Sequence, residues 1–203
     1  MFFSKRQGWA GWVRQAVCGA IVVFAASQFA QADEPKVEAP KADAPKTALP
    51  KIRQELAALK PFLGKTWKGT FKSSTPEKPM HDVSRWQVAL KGHAVRIVHS
   101  VNDGIYGGES LVMWNAEKKQ IESFYFTNAG FYTQSVITVE DGKMTSREKV
   151  VGNSQGITEV EAVTRLLEDG RMHVKSRYLK GTDWVDGHEI MYEEAPGAEV
   201  KVD

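Results

Sequence analysis

Residues 119–151 read KQIESFYFTNAGFYTQSVITVEDGKMTSREKVV, and the fold follows from this stretch. It holds three extended runs, 119–127, 131–139 and 143–151, rich in β-branched and aromatic residues. Asn128-Ala129-Gly130 and Asp141-Gly142 stand between them. Asn-x-Gly and Asp-Gly supply the φ > 0 positions of tight hairpins, where a Cβ would clash. Connections this short join antiparallel neighbours, because a parallel pair needs a crossover of about a dozen residues.

The same grammar continues on both sides. Extended runs at 66–72, 82–90, 93–101 and 107–115 precede the stretch, and runs at 157–167, 171–179 and 183–193 follow it. Lys91-Gly92, Asn102-Asp103-Gly104, Asp169-Gly170 and Lys180-Gly181 mark further turns. Within 171–179, Met172, Val174 and Tyr178 alternate with Arg171, His173, Lys175 and Arg177, so one face is dry and the other wet. Ile157, Val160, Val163 and Leu167 also fit a helix; their place in the meander favours a strand. Sequential antiparallel strands twist, and closing on themselves removes both edges. The expected fold is all-β, an antiparallel up-and-down barrel of about ten strands. Eight strands just fill with side chains or hold one small ligand, so ten leave an interior cavity. One short helix precedes the barrel: Ile52, Leu56 and Leu59 share a face, and Pro61 and Gly64 end it.

Upstream lies an export signal. Lys5, Arg6 and Arg14 precede the apolar run 16–26, and Ala30-Gln31-Ala32 forms a small-residue cleavage site. The apolar run is shorter than the ~20 residues of a spanning helix, so no stable membrane span is expected after cleavage. Cys18 is the sole cysteine and leaves with residues 1–32, which excludes disulfides and thiol chemistry from the mature chain. The destination is a periplasmic or secreted space. Residues 33–51 repeat Pro-Lys every five residues, a disordered, extended spacer that at about 3.1 Å per residue reaches on the order of 60 Å. The barrel domain is then 52–195, followed by a disordered tail at 196–203. The chain carries 27 Lys+Arg against 25 Asp+Glu, and the signal takes three bases and no acid with it. The balanced remainder has no basic field for a phosphate backbone, so a nucleic-acid partner is excluded.

No catalytic constellation emerges. Gly152-Asn153-Ser154-Gln155-Gly156 matches the nucleophile-elbow pattern, but that elbow needs a strand before it, a helix after it and a parallel sheet around it. Here the flanks read strand, turn, strand, and Ser154 is expected to be inert. Five histidines occur, His81, His93, His99, His173 and His188, without the i, i+4 pairing of a helical metal site. His93, Val95, Ile97 and His99 share a strand face, either flanking an inward patch or facing solvent. No metal site is expected. Trp86, Tyr178, His188 and Tyr192 alternate with charged or polar neighbours and are assigned inward as the candidate ligand-binding residues, with Met172, Val174 and Ile190 as apolar walls.

The helix followed by Phe62-Leu63-Gly64-Lys65-Thr66-Trp67-Lys68-Gly69-Thr70-Phe71 and ten meandering strands resembles the calycin superfamily, with its lipocalin-like and nitrobindin-like bacterial barrels. The resemblance implies that Trp67 plugs one barrel end against the helix. It also implies an interior that takes an apolar or haem-like small molecule, and nitrobindin-like proteins place their haem-ligating histidine near the final strand, where His188 stands. The expected function is non-catalytic binding of a small hydrophobic or amphipathic ligand. The alternatives are a stalked interaction module with a packed barrel, and a haem-binding protein.

Overall fold

The computed structural model describes residues 51–153 and 155–202. The export signal, the spacer up to residue 50 and Ser154 lie outside the described residues. Ten strands follow one another: β1 (Lys65–Phe71), β2 (His81–Ala89), β3 (Ala94–Val101), β4 (Tyr106–Asn115), β5 (Gln120–Thr127), β6 (Tyr132–Glu140), β7 (Lys143–Val151), β8 (Ile157–Leu166), β9 (Met172–Lys180) and β10 (Asp183–Glu194). Each pairs antiparallel with the next, and β1 pairs with both β2 and β10, which closes the barrel. Closure leaves no strand edge unpaired. The turn between β6 and β7 shows why the hairpins are so short. Asp141 and Gly142 have φ of 49° and 70°, the two left-handed positions of a turn whose twist matches its strands.

The segment 157–167 forms β8. Val160, Ala162 and Thr164 pair with Tyr178, Ser176 and Val174 of β9, so period two wins over period 3.6 there. The N-terminal helix differs in kind from the expected one. It is a 3₁₀ helix over Gln54–Phe62 and contains Pro61 instead of stopping before it. The reason lies in the spacing: Leu56, Leu59 and Phe62 recur every three residues, and side chains three apart eclipse on a 3₁₀ helix. All three are buried. They share one core cluster with Trp67, Trp86, Val95 and Val112 at the end of the barrel that the helix covers. Trp67 is fully buried there, and its indole N–H donates to the Phe62 carbonyl at 3.4 Å. Among the described residues no helix is long and apolar enough to cross a membrane.

Residues 196–202, read from the sequence as part of a disordered tail, are tied to the barrel by hydrogen bonds. Ala198 accepts from Arg85, and the Lys201 N–H donates to Ser100 Oγ at 3.1 Å. Lys201 Nζ also pairs with Asp103 at 3.2 Å.

Candidate functional site

The barrel contains a cavity of about 780 Å³. It begins above Leu59 and Trp86 at the helix end and reaches Ser73, Ala129, Asn153 and Gln155 in the loops at the other end. Its existence has a simple cause. Mid-strand inward positions on β4 to β8 are occupied by Ser110, Ser123, Ser135, Ser146 and Ala162, all small. Ser123 faces Ser135 and Ser146 faces Ala162 across neighbouring strands, and Ser110 and Ser123, like Ser135 and Ser146, are diagonal neighbours, so the small residues form a stepped arc. Larger side chains there would fill the interior at ordinary packing density.

A line of polar groups runs along one wall. Asp82, 1% exposed, accepts from the Tyr192 hydroxyl at 2.8 Å through Oδ2. Its Oδ1 lies 2.7 Å from His99 Nδ1. A carboxylate can only accept, so the His99 proton sits on that nitrogen. His99 Nε2 is then the acceptor and lies 2.7 Å from the Tyr125 hydroxyl, and the Tyr125 and Tyr106 hydroxyls are 3.0 Å apart. Burial holds the Tyr125 hydroxyl far above the ordinary tyrosine value, with Tyr106 adding to it. Burial also raises Tyr106, and burial together with Asp82 raises Tyr192. All three phenols therefore stay neutral.

A second cluster forms where β10 bulges. Asp186 pairs with Arg177 but Glu189 pairs with Lys175, so Gly187 and His188 together oppose Ser176. The bulge turns His188 inward. Glycine is needed at 187: a Cβ there would run into Ser176 Oγ and come within 2.8 Å of Tyr178 Cζ. His188 Nδ1 lies 2.7 Å from the Tyr178 hydroxyl and 3.0 Å from Ser176 Oγ. Burial pushes the imidazole below its ordinary value, with His99 adding to the effect, so the ring is neutral at neutral pH.

On β7, Glu148 faces the cavity. It accepts from Thr133 Oγ1 at 2.8 Å and from Ser146 Oγ at 2.7 Å. Burial raises it above the usual carboxylate range, against the pull of those two hydroxyls.

All four residues singled out from the sequence, Trp86, Tyr178, His188 and Tyr192, line the cavity. Tyr178 and His188 are brought into contact, and Tyr192 joins the Asp82 network. Trp86 lies at the helix end with its ring 5.1 Å from Phe62, and its buried indole N–H has no partner among the described residues. Of the expected apolar walls Ile190 lines the cavity, whereas Met172 is buried in the core cluster and Val174 packs against it, and neither lines the cavity. Sequence reasoning left His99 undecided, read Tyr125 only as one of the aromatic cluster Phe124-Tyr125-Phe126 that packs the core or lines a ligand site, and passed over Asp82 and Glu148. Alternation carried the signal for two of them: Glu148 shares parity with Met144 and Val150 while Lys143, Arg147 and Lys149 take the other face, and Asp82 shares parity with Trp86. His173, by contrast, pairs with Glu189 at 3.1 Å and does not line the cavity.

No protein-family model matches the chain, and no curated protein sequence matches it. Among solved structures it is similar to the crystal structure of Rv2717c from M. tuberculosis, at a TM-score of 0.54 and 12% sequence identity. The match covers 71% of this chain and 99% of that one. At that identity the likeness is one of fold.

Proposed function

We propose that this protein is a non-catalytic carrier or sensor that holds one small apolar or amphipathic molecule inside its barrel, as the calycin resemblance implies. The observation that carries the reading is the cavity itself, about 780 Å³ and bounded by an arc of small side chains. Ligand pockets commonly measure roughly 300–1,000 Å³ and combine apolar walls with a few polar groups. The apolar floor and the hydroxyl, imidazole and carboxyl groups above it match that composition, and they favour ligand binding over a packed interaction module. Export belongs to the same proposal, with residues 1–32 removed; an intact mass starting at Asp33 supports it, and retained Met1 in a membrane fraction contradicts it.

A hydrophobic reporter dye tests the reading. It should quench tryptophan fluorescence saturably at one molecule per chain, because Trp86 lines the cavity. No saturable binding across dyes, retinoid-like molecules, neutral lipids and haem would leave the stalked interaction module as the better account.

One observation favours a haem-binding variant of the same proposal. His188 lines the cavity with Nδ1 engaged by Tyr178 and Ser176, and its Nε2 has no hydrogen-bond partner among the described residues. Ligating histidines are usually oriented through the other ring nitrogen in this way. A Soret shift on adding ferric haem, lost in His188→Ala, is the expected signature; no shift rejects the variant.

A further inference from the structure

Apart from the histidines His99 and His188, the ionisable groups of Asp, Glu, Lys and Arg around the cavity have one sign. Among its described lining residues are Asp82, Glu148 and Asp186, but no lysine or arginine. Asp82 is already engaged by His99 and Tyr192. Asp186 is exposed at the rim, within electrostatic reach of Lys72. Glu148 is different: it is half-buried, faces the interior and has two hydroxyls as its hydrogen-bond partners among the described residues. A carboxylate out of water without a cation is unfavourable, and an incoming ammonium relieves it.

Register places aromatic rings beside that carboxylate. Tyr125 on β5 faces Thr133 on β6, and the Thr133 hydroxyl is the one that donates to Glu148. Tyr106 lies next along the wall, bonded to Tyr125 and stacked on Phe131 with ring centres 6.5 Å apart. All three rings line the cavity. Aromatic faces attract a cation through their quadrupole, most strongly where water is excluded.

We propose that the ligand is an organic cation, an alkyl or aryl amine whose ammonium binds Glu148 among the rings of Tyr106, Tyr125 and Phe131 while its apolar body lies along the serine arc towards Trp86. This rests on reading the cavity as a ligand site and names the class of ligand it takes. The opposite polarity is disfavoured for the same reason: a carboxylate ligand meets Asp82 and Glu148 and finds no lysine or arginine among the described lining residues.

Three probes sharing one chain separate the claims: dodecylamine, dodecanol and dodecanoate, titrated below their aggregation concentrations with tryptophan quenching as the readout. The amine should bind at least about tenfold more tightly than dodecanoate, the alcohol falling between them. Glu148→Gln keeps the size and the hydroxyl contacts but removes the charge, and should cut the amine-to-alcohol affinity ratio by about tenfold; near-ultraviolet circular dichroism checks that it folds. Wild-type protein supplies a second test independent of that variant. A cation lowers the proton affinity of a nearby carboxyl, so amine binding should release protons in mildly acidic solution, seen as binding heats that change with buffer ionisation enthalpy. Alcohol binding with no preference for the amine, or amine binding without proton release, overturns the cation assignment and leaves the cavity reading standing. Failure of all three probes overturns both.

Discussion

Asp82 and Tyr192 show how much can rest on one hydroxyl. Asp82 is 1% exposed, and Tyr192 supplies the donor to Oδ2. Tyr192→Phe keeps the ring and leaves that buried oxygen without a partner, which should lower stability by about 1–3 kcal/mol in urea denaturation. An unchanged midpoint would mean that Asp82 is satisfied by another group. Tyr192 was legible as an inward residue because it shares parity with Ile190 while Glu189 and Glu193 take the other face. Its partner was not, because alternation tells which face a residue takes and says nothing about which residue of another strand it meets. Asp82 and Tyr192 are 110 positions apart, on strands that both flank β1.

At the scale of elements, the hairpins were legible almost residue by residue, since their turns are written in Asp-Gly and Asn-x-Gly. The 3₁₀ helix and the β10 bulge were not. The helix type depends on which spacing the barrel end accepts, and the bulge on how Gly187 fits beneath Tyr178. The β4–β5 hairpin offers a test of a local device. Glu122 accepts from Asn115, Lys118 and Gln120 at 3.0, 3.0 and 2.7 Å. Those bonds, the Asn115 one foremost, hold its carboxyl at about 2. A lowered value stabilises the fold above the ordinary carboxylate range and loses that contribution on acidification. The stability difference between wild type and Glu122→Gln should therefore be full at neutral pH and fade between about 4.5 and about 2. A difference that stays constant across that range would contradict the assignment.

For the molecule as a whole, closure and cavity have separate causes. Ten antiparallel strands close because each turn returns the chain beside its neighbour, and that was readable from turn spacing. The open interior comes from serine and alanine at five inward positions, a volume effect that appears only once the strands are set in register. The polar wall likewise needs the register that brings β2, β3, β4 and β5 together. The proposed ligand sits inside this space. The direct measurement is a two-dimensional amide NMR titration with the reporter dye. Saturable shifts concentrated around Ser110, Ser123, Ser135, Ser146 and His188, which surround the cavity, are expected. Shifts confined to the exposed Phe126, Tyr132 and Val151 on the outer face, or none at all, would contradict it.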